Sequence, residues 1–325
     1  MSLHINKMYL IWWLALTVLF TACNGKGGDR EGRGMYYWST TFNLDSAKLQ
    51  FLDDHDVHRL YVRYFDVVID EKGEIMPNAS IRFPRSTHSS PNNQQPLSIT
   101  IIPTIFIVND VMRHDVSGLA EKILQRILQM NKTHGIENVS ELQIDCDWSV
   151  QTRKRFFAFM EELHKLAKDQ GLQLSATIRL HQLAQKPPSC DHGVLMFYNT
   201  GDFTKYEDEH PILDMTVAGP YLQYLKNYTL SLSTAYPIFG WDILFRPIAS
   251  GTFHYLGIQH FPGEVPTMPG DTLVRRQPTL QEILQAREAV ERLRPDANHE
   301  VILFDMSNPN INRFNNNDYE KIFGH

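Results

Sequence analysis

The strongest constraint in this chain is its rhythm. From residue 35 onward, short runs of β-branched and aromatic residues alternate with stretches whose apolar residues recur at helical spacing. Strands that alternate with helices form a parallel sheet, because each parallel connection must cross back over the sheet. Residues 59–69 (RLYVRYFDVVI) read as a strand, as do 35–41, 141–148, 172–180, 193–199 and 301–306. Residues 97–108 are almost continuously apolar, the pattern of a strand buried on both faces. Residues 230–245 are strand-rich but interrupted by Pro237 and Gly240. Helical periodicity covers 45–54, 116–134, 152–170 and 279–293, with Gly135 and Gly171 as stops. About eight strands in this order fit an α/β fold, an irregular (β/α)8 TIM-like barrel. Residues 70–96 read as an excursion, and the stretch 200–278 lacks clear helices, hence the irregularity. A doubly wound open sheet is the other arrangement this rhythm allows. The absence of a glycine fingerprint after the first strand counts against a dinucleotide-binding version of it.

The N-terminus carries a separate signal. Lys7 precedes an apolar stretch from Met8 to Ala22, too short for a comfortable membrane span and suited to a signal peptide. It ends Leu19-Phe20-Thr21-Ala22-Cys23, which resembles a bacterial lipobox. That resemblance implies removal of residues 1–22 and lipidation (palmitate included) of Cys23. Residues 23–34, rich in Gly and charge, then read as a flexible tether, and 35–325 as a single barrel domain. The expected location is the bacterial cell envelope, at the outer membrane, through the lipid anchor. Cys146 and Cys190 are expected as free thiols, Cys146 in the core, since two cysteines make no disulfide framework.

Composition excludes some functions. The formal charge of −6 comes without any long basic run, so nucleic acid is not an expected partner. His181 and His192 lack metal-ligand spacing, and no metal or organic cofactor is expected. No G-x-S-x-G elbow is present, which argues against an ordinary α/β hydrolase.

In a barrel, reactive groups stand at the C-terminal ends of strands. Alternation along residues 142–147 puts Gln143, Asp145 and Asp147 on one face and Leu142, Ile144 and Cys146 on the other. The apolar face must pack on helices, so the acidic face points inward. Two close carboxylates should raise at least one pKa, as a general acid requires. Other strand ends supply Arg63, Asp66, Arg179, Tyr198, Asn199, Trp241, Asp242 and Asp305. Polar ends with aromatic neighbours facing one cavity are how a sugar site would be built. The plain alternatives are a structural ion-pair network of Asp145 and Asp147 with Arg63 or Arg179, and core packing for Tyr198 and Trp241.

Three segments carry a family resemblance: LQIDCDWS (142–149) with Thr152 and Arg153, LMFYNTG (195–201), and AYPIFGWDILFR (235–246). The chain here resembles a Bacteroidota-type family of uncharacterised bacterial lipoproteins with a glycosidase-like barrel. The motif at 145–149 is also similar to the Asp-x-Asp-x-Glu signature of chitinase-type glycosidases. Asp145 and Asp147 match its aspartates, and Ser149 stands where its glutamate, the expected proton donor, would be. The resemblance implies a glycoside hydrolase-like lipoprotein, expected as a monomer, that acts on a carbohydrate ligand. In it Asp145 and Asp147 are catalytic, with Asp147 the acid or base. The missing glutamate leaves open a barrel that binds glycan without cutting it, and a purely structural envelope lipoprotein.

Overall fold

The computed structural model describes residues 32–84, 99–248 and 251–324. The proposed signal peptide, Cys23 and most of the tether lie outside the described residues.

Eight parallel strands close into a barrel. In order around it they are β1 (Gly32–Tyr37), β2 (Arg59–Ile69), β4 (Thr100–Ile107), β5 (Glu141–Asp145), β6 (Gln173–Arg179), β7 (His192–Met196), β8 (Leu232–Pro237) and β12 (Glu300–Phe304), and β1 pairs with β12 to complete the ring. The short strand β3 (Ile75–Asn78) hangs antiparallel on β2. The barrel expected from the strand–helix rhythm is therefore the fold found, and the open sheet is not.

Helices cover the outside: α1 (Ser46–Asp54), α2 (Leu119–His134), α3 (Arg153–Asp169), α4 (Met215–Leu222), α5 (Leu280–Leu293), α6 (Asn308–Ile311) and α7 (Asn316–Phe323). The irregularity falls in two kinds of place. Only a 3-10 turn, Leu180–Ala184, sits between β6 and β7, with no α-helix. Between β8 and α5 the chain builds a second, antiparallel sheet of β9 (Trp241–Pro247), β10 (Phe253–Ile258) and β11 (Thr272–Arg276), with β9 in the middle. The strand-rich run at 230–245 is thus two strands in two sheets. Gly240, after Pro237, marks the change of sheet, and a side chain there would meet Gln277 and Arg275.

Two apolar cores follow from this geometry. Leu142, Ile144, Leu174, Ala176, Ile123 and Phe159 belong to the layer between barrel and helices. Tyr36, Tyr61, Ile102, Val194, Met196, Ala235 and Ile302 fill the barrel itself. Every residue of β5 is buried, so its inward residues, Glu141, Gln143 and Asp145, must find partners inside the barrel. At the N-terminal end Glu141 accepts from Arg59 Nη2 at 2.7 Å and from Ser175 Oγ at 2.5 Å. Glu300 completes that layer, accepting from Arg59 Nε, Tyr61 Oη and Ser233 Oγ at 2.7, 3.0 and 2.8 Å. In the middle, Tyr36 Oη donates to Gln143 at 2.8 Å. Polar groups thus plug the barrel floor with their bonding satisfied.

β1 begins at Gly32, inside the stretch read as tether. A side chain at Gly34 would come within 3.2 Å of Ile302 and Tyr61, so glycine lets β1 nest against β12 and β2. Arg33 then locks the seam. Its guanidinium forks onto Glu320 of α7, donates to the His55 carbonyl at 2.7 Å and lies 4.8 Å from the Phe323 ring centre. A glycine-rich, charged stretch looks like linker in sequence, but here both glycine and charge serve barrel closure. Cys146 and Cys190 are free thiols, and Cys146 is in the core as expected.

Candidate functional site

The strand ends at the C-terminal mouth surround a cavity of about 780 Å³. Trp38, Phe106, Tyr198, Phe239, Trp241 and Phe304 supply its aromatic wall; Arg63, Asp145, Asp147, Arg179, Asp242, Arg275 and Asp305 supply its charges. A smaller pocket of about 240 Å³ adjoins it, sharing Asp147, Arg179, Tyr198 and Asn199 and adding His181 and Tyr221.

Arg179, the last residue of β6, organises the acidic pair. Its Nη2 donates to Asp145 Oδ1 at 3.0 Å and its Nε to Asp147 Oδ1 at 2.5 Å. Thr177 Oγ1, one inward position earlier, donates to the same Asp145 oxygen at 2.6 Å. Asp145 is buried and Asp147 is exposed, because β5 ends at Asp145 and the chain turns outward after it. The expectation that both carboxylates stand on one inward strand face is corrected: Asp147 lies past the strand and meets Asp145 only through Arg179. The cause of the pKa shift is corrected too. Asp145 is raised first by burial, which outweighs the pull of Arg179, and the charge of Asp147 adds only a smaller push. The guanidinium of Arg179 is held firmly charged by the two carboxylates in spite of its burial.

Most of the other expected residues converge on the cavity. Tyr198 is buried on its wall, and burial pushes its hydroxyl well above the usual phenol range. Asn199 turns the chain out of β7 with φ 55°, a left-handed conformation asparagine tolerates better than most residues. Trp241 packs its ring against Phe203 and Phe239, with centroids at 5.2 and 5.4 Å. Trp241 and Asp242 open β9 rather than close a barrel strand, and reach the cavity from the small sheet. Asp242 is paired with Arg275 of β11 at 3.0 Å. Asp305 follows β12, accepts from Asn310 Nδ2 at 2.6 Å and is raised chiefly by burial.

Asp66 is the exception, because it does not line the cavity. It is buried and clasps Arg63 through both guanidinium nitrogens that face it. Residues three apart on a regular strand point to opposite faces, but the β2–β4 register shifts between Arg63 and Phe65 and brings the two together. Asp66 therefore holds Arg63, whose guanidinium sits 5.3 Å from the Trp38 ring centre at the cavity rim.

Sequence reasoning missed Trp38 and Arg275. Trp38 had a signal, since it ends an aromatic run at the close of the first strand. Arg275 had none, because its strand belongs to a sheet that periodicity did not reveal.

With this geometry in view, the comparisons with known proteins are specific about fold. No family model and no curated sequence matches the chain. Solved structures do. A chitinase from Chromobacterium violaceum ATCC 12472 superposes with a TM-score of 0.54 at 12% identity, covering 91% of this chain and 99% of that one. The spore cortex-lytic enzyme SleL of Bacillus megaterium QM B1551 gives 0.55 at 10% identity, over 90% and 73% of the two chains. A GH18 chitinase from Cycas revoluta, solved with (GlcNAc)3, gives 0.52 at 11% identity, over 90% and 98%. The protein has a glycosidase-like (β/α)8 barrel of the kind seen in chitinases. At these identities the likeness speaks for the fold alone.

Proposed function

We propose that this protein is an envelope-anchored, glycoside hydrolase-like lipoprotein that takes a glycan into the mouth of its barrel and cleaves it there. The observation that carries the reading is the mouth cavity itself, open, large enough for sugar rings, and walled by aromatic faces interleaved with carboxylates and guanidinium groups. Flat apolar rings pack on the faces of sugars, and the charged groups bond their hydroxyls. Asp147 is the carboxylate of the acidic pair that a substrate can touch, so it takes the proton-transfer role. Asp145 is buried behind Arg179 and acts as a positioning residue. Signal peptide cleavage, lipidation at Cys23 and outer-membrane location belong to the same proposal and rest on the lipobox. The similar folds named above include chitinases and a cortex-lytic enzyme, which makes glycans containing N-acetylglucosamine the first to try.

A second reading has its own observation. Ser149 stands in place of the glutamate, and Arg179 engages both aspartates of the motif. These features favour a capture protein that binds glycan without cutting it. One experiment separates the readings: binding and product release measured together on a polysaccharide panel, for the full chain and for Asp147→Asn. Hydrolysis lost in the variant with binding kept supports the enzyme. Binding without product in either supports capture. Neither binding nor product from folded protein refutes both.

A further inference from the structure

Going round the closed barrel in the order β1, β2, β4, β5, β6, β7, β8, β12, the strands β5 and β12 are fourth and eighth of eight. They stand diametrically opposite. Asp147 follows the first and Asp305 follows the second, and both line the mouth cavity. The two carboxyl groups have opposite environments. Asp147 is tied to a guanidinium. Asp305 has no cation within ion-pair reach among the described residues, and its partners, the Asn310 amide and Ser307, are neutral. The other two aspartates on the cavity wall are both engaged, Asp145 with Arg179 and Asp242 with Arg275. Of the remaining titratable groups on the cavity wall, Tyr198 is buried and His260 is exposed. Carboxyl groups whose surroundings differ in this way divide acid and base roles between them. Ser149 leaves the acid role vacant in the segment that follows β5.

We propose that Asp305 is the proton donor of glycoside cleavage and that Asp147, across the mouth, is the base that activates the attacking water, so that the anomeric configuration inverts. The inference rests on the hydrolase reading above. In the step, the Asp305 carboxyl gives its proton to the glycosidic oxygen while the bond from that oxygen to C1 breaks, its electron pair staying on the oxygen. Water attacks C1 from the opposite face and passes one proton to Asp147. The products are two sugars with new hydroxyls. Asp305 is left anionic and Asp147 protonated, and exchange with solvent resets both. Inversion needs room for this water between the two carboxyl groups, roughly 6.5–9.5 Å, and Asp147 and Asp305 follow opposite strands of the barrel rather than neighbouring ones. Asn310 is a positioning residue. Its amide favours the ionised form of Asp305.

The test uses the full chain, Asp305→Asn and Asn310→Ala on a glycan that the wild type cleaves. The first product is followed by proton NMR of its anomeric signal. Asp305→Asn should lose about 100- to 10,000-fold in kcat on the natural linkage, the usual worth of a general acid. The loss should be far smaller on a nitrophenyl glycoside, whose leaving group needs no proton. Asn310→Ala should move the alkaline limb of the kcat/KM profile upward, which a purely structural role would not do. Inverted product with these effects supports the proposal. Retained configuration, or full activity in Asp305→Asn, overturns it and leaves the hydrolase reading standing. A wild type that binds glycans and cleaves none overturns both.

Discussion

Replacing Arg179 with methionine isolates what holds the mouth together. Methionine keeps the length and the apolar stem and removes the charge. Asp145, with a side chain only 5% exposed, would then keep Thr177 as a donor but lose its cation. Removing one partner of a buried pair costs about 3–5 kcal/mol, because the other charge is left uncompensated. The exposed Asp147 adds little, since surface pairs are worth about 0–1 kcal/mol. With an unfolding entropy of about 2.1 cal/mol/K per residue, a domain of about 290 residues should lose about 5–8 °C of Tm. The sign of the pH dependence follows from Asp145. Burial already raises its pKa, and losing Arg179 raises it further. A raised carboxyl gives stability that is present below the unfolded value, about 3.9, and lost as pH rises through the folded value. The deficit of the variant should therefore grow between pH 4 and pH 7.5. Adding Asp145→Asn to the variant should restore half of the loss or more at pH 7.5. Thermal unfolding followed by circular dichroism at the two pH values measures all three quantities. A deficit under about 1 kcal/mol at pH 7.5, or one that does not change with pH, refutes the account of Arg179 as the charge that makes a buried Asp145 tolerable.

The remaining expectations concern other parts of the barrel. Asp305→Asn should stabilise the fold at pH 8 and be neutral at pH 4, because a carboxyl raised by burial weakens the native state only once it ionises; denaturant titrations at both pH values check this. Glu300→Ala strands Tyr61, Ser233 and half of Arg59 at the barrel floor and should cost about 3 kcal/mol, with glycan affinity at the opposite end unchanged for the folded fraction. Trp241→Ala should weaken glycan binding by roughly twofold to tenfold, the worth of one aromatic contact of about 0.5–1.5 kcal/mol, without changing Tm by more than a few degrees, as calorimetry would show.

The barrel was legible because its signals are local and repeated. Residues 59–69 form a strand over the whole span expected, and the helices at 119–134, 153–169 and 280–293 differ from expectation by at most three residues at either end. Errors gather where they matter for function. Strands expected to reach Thr41, Trp148, Asn199 and Met306 stop at Tyr37, Asp145, Met196 and Phe304. Aromatic and apolar residues continue past each strand because the mouth has apolar walls of its own, so periodicity cannot see the strand end. Asp147 suffered most from this, since its sidedness was argued from a strand it does not belong to. Of the two arginines that alternation offered to the acidic pair, Arg63 and Arg179, it is Arg179 that engages it, because parallel pairing of β5 with β6 brings consecutive strand ends together. The placing of Asp66 at the mouth failed for the opposite reason, because its clasp on Arg63 is set by a register shift that alternation does not encode. The small sheet of β9, β10 and β11 stayed hidden between a proline, several glycines and short strands, and Arg275 with it.

The seam between β1 and β12 bears on how the chain assembles. Gly32 pairs with Glu300, so the contact that closes the ring joins residues at nearly the two ends of the domain. During synthesis the first strand is made early and its outer flank has no neighbour until the last strand arrives. Through that interval the growing sheet has two open edges that other chains could pair with. Contacts of such long range also make folding slow. Arg33 and Glu320 then act as a late clasp, fastening only after α7 exists. A chain cut short before residue 300 should fail by self-association rather than by quiet loss of one strand.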